Sequence, residues 1–215
     1  ARHAEAVFTA HIEKTTAQAF YSDMKKRVAA EGRRPDQVLI LPGLCPTIAS
    51  TEAEAKRLLL ELSNYADVEI AVKYLGTWFG GHDFSHLPLD RPLTVADFPD
   101  LSNIETSKSR TEMVINLIKR EEITLRELLA RFAHIGGHYL FAGTAEQVAD
   151  LIEDWFLDGA ADGFNLMPPL LPTMLDIFID EVVPLLQRRG LFRTEYQGTT
   201  LREHYGLERP ASVFV

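Results

Sequence analysis

The segment Gly143 to Gly190, GTAEQVADLIEDWFLDGAADGFNLMPPLLPTMLDIFIDEVVPLLQRRG, constrains the fold most, because it spells helix, turn, strand, strand exit and helix in order. Thr144 followed by Gln147 has the spacing of a capping box, which satisfies two otherwise orphaned N–H groups of a first helical turn. Val148, Leu151, Ile152, Trp155 and Phe156 then recur at i, i+3, i+4, i+7 and i+8, one apolar face of a helix. Each such side chain contributes roughly 1.5–3 kcal/mol when fully buried, so this helix requires a large apolar partner. Gly159 is the expected stop. Asp162 and Gly163 predict a turn, and Phe164 to Met167 a short strand ended by Pro168 and Pro169, which cannot donate to a ladder. Thr173 and Asp176 restart a helix that runs to Arg189 and stops at Gly190, with a kink expected at Pro184.

Upstream, Ala4 to Ala10 predicts a strand in which Ala6, Phe8 and Ala10 share one face and Glu5, Val7, Thr9 and His11 the other. With the apolar set against the helices, Thr9, His11 and Asn165 would look to the opposite side near the strands' C-terminal ends, where parallel α/β proteins build their sites. Thr15 and Gln18 suggest a second capping box, opening a helix to Gly32 buried through Phe20, Met24 and Val28. Val38 to Leu44 is a nearly continuous apolar run, as in a parallel strand covered on both faces. Thr51 and Glu54 cap a third helix with the stripe Ala55, Leu58, Leu59 and Leu62. The order strand, helix, strand, helix predicts an α/β fold with parallel strands joined by right-handed crossovers. From position 66 to 123, Gly76, Gly80, Gly81, Pro88, Pro92 and Pro99 interrupt long elements, and the stretch reads as an inserted loop. Helical spacing returns over 111–119, with Thr111 as its cap, and over 124–133, with Thr124 and Glu127 as a box. His138 to Ala142 could form a short strand, and the chain after Gly190 an extended strap.

Composition narrows the function classes. A net charge of -9 over 215 residues opposes nucleic-acid binding, which needs a concentrated basic surface. No apolar run approaches the roughly 18 residues of a membrane span, and the first residues lack a signal-peptide layout, so a cytoplasmic protein without membrane contact is expected. The single cysteine, Cys45, forms no internal disulfide and, placed just past a strand end with no base beside it, reads as inert. His82 and His86 are four apart, a metal spacing on a helix, but Gly80-Gly81 and Pro88 disfavour a helix there and no metal is expected. His82 reads instead as a loop histidine facing a substrate. His134 and His138 flank the double glycine at 136–137 and read as surface or cap residues. Ser107, Lys108, Ser109 and Arg110 lack the glycine spacing of a phosphate loop and predict a solvated turn. Signatures of serine hydrolases, zinc proteases and dinucleotide-binding folds are missing from the sequence.

The phrases RHAEAVFTA, VLILPG, GTAEQVADLIEDWFLDGAADGFNLMPP and VVPLLQRRGLFRTEYQGTTLREHYGL resemble the nitrilotriacetate, dibenzothiophene-sulfone and long-chain alkane monooxygenase group of the bacterial luciferase-like flavin monooxygenases. The resemblance implies a TIM (β/α)8 barrel that uses reduced FMN from a separate NAD(P)H-dependent flavin reductase, with O2, to oxidise a small organic substrate. On that template residues 1–215 form the C-terminal half of the barrel, a partial barrel of strands six, seven and eight with an insertion at about 66–142. It implies Phe8, Thr9, His11 and Asn165 as part of the cofactor wall, and Trp78, His82 and Met167 on the substrate side. Catalytic groups and most of the flavin phosphate site would lie upstream of Ala1, so that this half alone would retain FMN poorly. Its strands would be covered by the N-terminal half or by a second copy. Two alternatives remain: a non-catalytic half-barrel that acts as an association module, and a doubly wound α/β domain with helices on both sheet faces.

Overall fold

The computed structural model describes residues 1–65, 67–104, 108–132 and 137–211; Ser107, His134 and Gly136 lie outside them. Strand β2 (Leu39–Ile48) organises the sheet. It is long enough to serve two partners in series. Leu39–Pro42 pair in parallel with β1 (Ala6–Thr9), and Leu44–Ile48 in parallel with β3 (Tyr139–Gly143). The two-residue β4 (Asn165–Leu166) adds at Gly43–Leu44, also parallel. It is shorter than the expected strand because its ladder ends where the Met167 N–H reaches the Leu44 carbonyl, and Pro168 and Pro169 have no donor to offer.

Strand β2 also continues past its expected end at Leu44. Ile40 and Leu44 receive the N–H groups of Asp162 and Met167, so even-numbered residues of β2 turn towards β4. Pro42 and Pro46 are even-numbered, and their missing donors fall on the side where β4 supplies only two residues. Cys45 is consequently inside the strand and fully buried rather than beyond it. Leu39 donates to Glu5 while its neighbour Ile40 accepts from Asp162, which puts β1 and β4 on opposite sides of β2.

One sheet face carries the crossover helices. Ile40 and Val38 pack with Val28 of α1 (Lys14–Ala30), together with Val7, the register partner of Ile40. Ile48, an even step along β2, packs with Val148 and Ala149 of α6 (Ala145–Leu157). Lys14 bonds Asp154 of α6 and Asp158, its C-cap, at 2.7 and 2.6 Å, and Ala17 meets Trp155, so α1 and α6 lie side by side. A doubly wound sheet would divide them between two faces. Register partners share a face, so Phe8 and Leu41 point away from these helices, and Phe8 is 55% exposed. The expected assignment of β1 is therefore reversed: Val7 and Thr9 face α1, and Phe8 faces the other way. Phe156, expected on the buried stripe of α6, is exposed, whereas Trp155 and Val148 are buried.

The stretch expected to be an inserted loop is mostly helical. Helices α3 (Val68–Trp78), α4 (Lys108–Arg120) and α5 (Leu125–Phe132) enclose an apolar cluster that includes Leu75, Phe79, Phe84, Val114 and Leu128. Gly76 sits inside α3 because a Cβ there would meet the His82 carbonyl oxygen at 2.5 Å, and the positive φ of Gly80 and Gly81 turns the chain back. Thr111 does not cap α4; it is buried within it, with its hydroxyl donating to the Lys108 carbonyl. Nor does Thr15 cap α1, whose N-cap is Glu13. The boxes at Thr144/Gln147 and Thr124/Glu127 form, and Thr51 accepts from Glu54 N–H ahead of α2 (Glu52–Asn64). Around Pro184 the backbone widens instead of breaking: α7 (Thr173–Ile177) passes through a π-helical turn, Phe178–Val182, into α8 (Val183–Arg188). The tail forms α9 (Leu201–His204), and Arg202 holds both Glu5 carboxylate oxygens at 2.6 Å, strapping it to the start of β1.

The turn before β4 is fixed by Asp162. Its carboxylate accepts from Lys25 Nζ at 2.7 Å, the Ile40 N–H at 2.7 Å and the Tyr21 hydroxyl at 2.9 Å. Lys25 spends its other donors on the carbonyls of Pro35 and Val38, so every proton of the ammonium has an acceptor. Both side chains are largely buried, at 11% and 17% exposure. Asp162→Ala should destabilise the chain by about 3 kcal/mol, since it leaves Lys25 buried without its counter-ion; the denaturant midpoint measures it. Gly76→Ala should also destabilise, by about 1–2 kcal/mol in the same measurement. The roughly 1 kcal/mol of helix propensity it gains is smaller than the cost of moving the His82 backbone.

Candidate functional site

The sheet face turned away from α1 and α6 gathers the side chains suited to a ligand. Phe8, Gly43 and Asn165 share this face of β1, β2 and β4: Gly43 is in register with Asn165, and Phe8, in register with Leu41, stands two residues nearer the strands' N-terminal ends. His138, just ahead of β3, completes the Gly43, Asn165 row. Its ring stacks on Phe8 with centroids 4.7 Å apart and planes within 6°. A Cβ at Gly43 would overlap the His138 ring, so glycine at this point of β2 is what allows the imidazole to lie against the strand. Asn165 Nδ2 reaches the Leu41 carbonyl at 3.4 Å, which leaves the rest of the amide on the half-open face.

His138 was expected at the surface; it is 9% exposed, with Nδ1 buried and without a hydrogen-bond partner. Burial pushes its pKa down, a hydrogen bond to the Thr9 backbone partly opposes this, and the Arg110 charge pushes it further down. The ring is therefore a neutral imidazole near pH 7. The sequence signal for it was Gly43, a glycine inside a buried apolar strand. Thr9, on the helix side, has a buried Oγ1 without a partner, and so has Thr47 of β2. His11 follows β1; its Nδ1 lies 3.3 Å from the Thr16 hydroxyl, its ring tilts on Phe20, and burial lowers its pKa. Phe8 and Asn165 are thus brought to one face, whereas Thr9 and His11 are turned towards α1.

Trp78, His82 and Met167 are not brought together. Trp78 is 4% exposed within the helical cluster, edge-on to Tyr74 and Phe132, with the Arg110 guanidinium 5.3 Å from its ring. His82 leans on Phe84 in a cleft of about 640 Å3 between α3 and the loop that follows it. Its ring lies 6.5 Å from that of His86. Met167 lines a separate cleft of about 780 Å3 with Cys45 and Leu140. Burial pushes the Cys45 thiol up to about 12, so it stays protonated and is no nucleophile. Among the described residues this face offers an aromatic shelf, a neutral imidazole and an amide. These groups can stack on a planar ligand, hydrogen-bond its edge and exclude water.

No family model matches the chain. Relatives are clear nonetheless. It is 44% identical to the N-acetyl-S-(2-succino)cysteine monooxygenase of Bacillus subtilis over 99% of its own length and 47% of that protein. It is likewise 44% identical to nitrilotriacetate monooxygenase component A of Aminobacter aminovorans, over 98% and 46%. The dibenzothiophene-sulfone monooxygenase of Rhodococcus erythropolis matches at 39%, over 96% and 45%. Among solved structures, EDTA monooxygenase from Chelativorans superposes with a TM-score of 0.66 at 36% identity, over 96% of this chain and 47% of that one. A riboflavin lyase solved with modified FMN and riboflavin superposes with a TM-score of 0.74 at 28% identity, over 96% and 44%. The chain spans about half the length of the curated relatives it matches. It is a homologue of the nitrilotriacetate, dibenzothiophene-sulfone and long-chain alkane monooxygenase group of luciferase-like proteins.

Proposed function

We propose that residues 1–215 form the C-terminal half of a two-component, flavin-dependent monooxygenase, with β1, β2 and β4 as strands six, seven and eight of a (β/α)8 barrel. The observation that carries this reading is the near-complete match of the chain to monooxygenases at 44% identity. The parallel order β1, β2, β4 and the placement of both crossover helices on one face support it, because a barrel keeps its helices outside. Residues 66–142 are then the insertion before the last strand.

The residues present fit one wall of an FMN site. Phe8 and His138 offer a flat stacked surface and Asn165 an amide for the ring edge, whereas Thr9 and His11, on the α1 side of the sheet, fall outside this wall. The reduced flavin, supplied by an NAD(P)H-dependent reductase, would bring the electrons that activate O2. Phe8 and His138 would orient the ring by stacking, Asn165 would hold its edge, and the apolar surroundings would keep water out. Met167 would meet a small organic substrate at the exit of β4, whereas His82, in its separate cleft, would not share that contact, and Trp78 would stiffen the insertion from within. The upstream half would supply the phosphate site and the strand that pairs with β4. Beside β4 lies a groove of about 400 Å3, walled by Phe164 and Leu166 and by Ile152 and Phe156 of α6, Leu186 of α8 and Phe192 of the tail, which the upstream half would cover.

A fluorescence titration of the chain alone with FMN should show only weak binding; micromolar affinity would overturn the placement of the phosphate site upstream. Joined to an N-terminal half, the protein should bind FMN, and Asn165→Ala should weaken that binding about tenfold, the loss of one hydrogen bond. If the half-barrel is instead an association module, light scattering should show a dimer whose formation FMN does not alter.

A further inference from the structure

The open face has a second layer above the His138, Gly43, Asn165 row, and that layer is apolar. Leu140, Cys45 and Met167 each lie two residues further along than His138, Gly43 and Asn165, so they share the face and stand about 6.6 Å nearer the strands' C-terminal ends. Together with Leu59, Leu62 and Pro168 they wall the cleft of about 780 Å3, a volume within the range of small-molecule sites. Two cations stand at its rim, and each already holds a carboxylate in a solvent-exposed pair: Lys56 that of Glu52 and Arg131 that of Glu121. Among the described lining residues no cation is left for an anionic ligand. A carboxylate entering this cleft would lose its hydration without gaining a counter-ion.

We infer that this cleft takes an uncharged, apolar organic molecule and rejects polycarboxylates, in contrast to what the names of the nitrilotriacetate and EDTA monooxygenases imply for those relatives. The inference rests on the flavin monooxygenase reading for the ligand to be a substrate, but the preference for an uncharged ligand follows from the lining alone. Met167 and Leu140 grip the molecule, Cys45 and Pro168 form its floor, and α2 covers it through Leu59 and Leu62. The surface below it, with Phe8 and Asn165, remains available to the flavin.

Binding of N-phenyl-1-naphthylamine, an uncharged fluorescent probe, tests it on the 215-residue chain, with citrate as the competing polycarboxylate. The probe should bind, and a thousandfold excess of citrate should not displace it. Methyl NMR of the methionines, with Met167 assigned through Met167→Leu, should show the Met167 signal moving with the probe while Met24 stays in place. Leu59→Trp, which fills the cleft, should weaken the probe at least tenfold, and Ile179→Trp, on an exposed helical surface elsewhere, should leave it within twofold. Displacement by citrate, or a Met167 signal that does not move at saturation, overturns the inference. So does loss of the probe in step with dimer formation in light scattering, which would assign the cleft to a second copy. FMN and the probe titrated into the protein joined to an N-terminal half separate the two readings. Bound probe without FMN in the joined protein counts against the flavin assignment alone, and bound FMN without probe against this inference alone.

Discussion

The carboxylate of Asp162 is the interaction on which the rest of the sheet depends. It lies in the turn before β4, yet its three donors come from α1 and β2. Strand β4 contributes only two ladder residues, too few to define a register by themselves. The Ile40 N–H bound to the Asp162 side chain, next to the Asp162 N–H bound to the Ile40 carbonyl, fixes where β4 begins along β2. A one-residue slip would move Asn165 to the helix side and Leu166 to the ligand side. The same carboxylate burdens Tyr21: burial first, then the bond to Asp162 and its charge, push the phenol up to about 12. Tyr21 is therefore a hydrogen-bond donor to Asp162 at neutral pH and well above it.

With β4 held in place, the split use of β2 decides what the open face can do. Its first half carries β1 and hence Phe8; its second half carries β3 and hence the approach of His138. The two strands enter from different parts of the chain, and the Phe8 and His138 rings meet at the junction between them. The helical segment between β2 and β3 has its own apolar cluster, so it can hold the start of β3 without drawing residues from the sheet. Packing energy is thus divided: the helix-covered face stabilises the sheet, and the other face stays available for a ligand.

What was legible in the sequence was local. The boxes at Thr144/Gln147 and Thr124/Glu127 are pairs three residues apart, and they form as read. The order of strands and helices followed from apolar runs and glycine stops. The site was harder, because each of its errors turned on a partner far along the chain. Val7 and Phe8 are both apolar, so alternation alone could not say which meets α1; Val28 and Ile40 decide it. His138 beside a double glycine looked like a surface residue, and only Gly43, ninety-five positions earlier by number, shows that a ring lies against β2. Asp162 looked like an ordinary turn residue because Lys25 is 137 positions away. Helix α3 was missed since Gly76 and the following glycines resemble breakers, while the close approach of His82 explains the first and chain reversal the others.

Gly43 also explains why a buried, neutral imidazole is tolerable at this point. Taking a histidine out of water strands its ring nitrogens unless something bonds them, and Nδ1 has no partner. The compensation is packing: with no Cβ on Gly43, the ring closes against the backbone on one side and against Phe8 on the other. A protonated ring in the same place would carry a charge facing Arg110, so the environment that makes the stack also excludes the cation. A neutral, flat, weakly polar surface favours an uncharged aromatic ligand over an anion. The Leu140, Cys45, Met167 layer above it is apolar as well, so a stacked ring and the proposed uncharged ligand would make compatible demands on the open face.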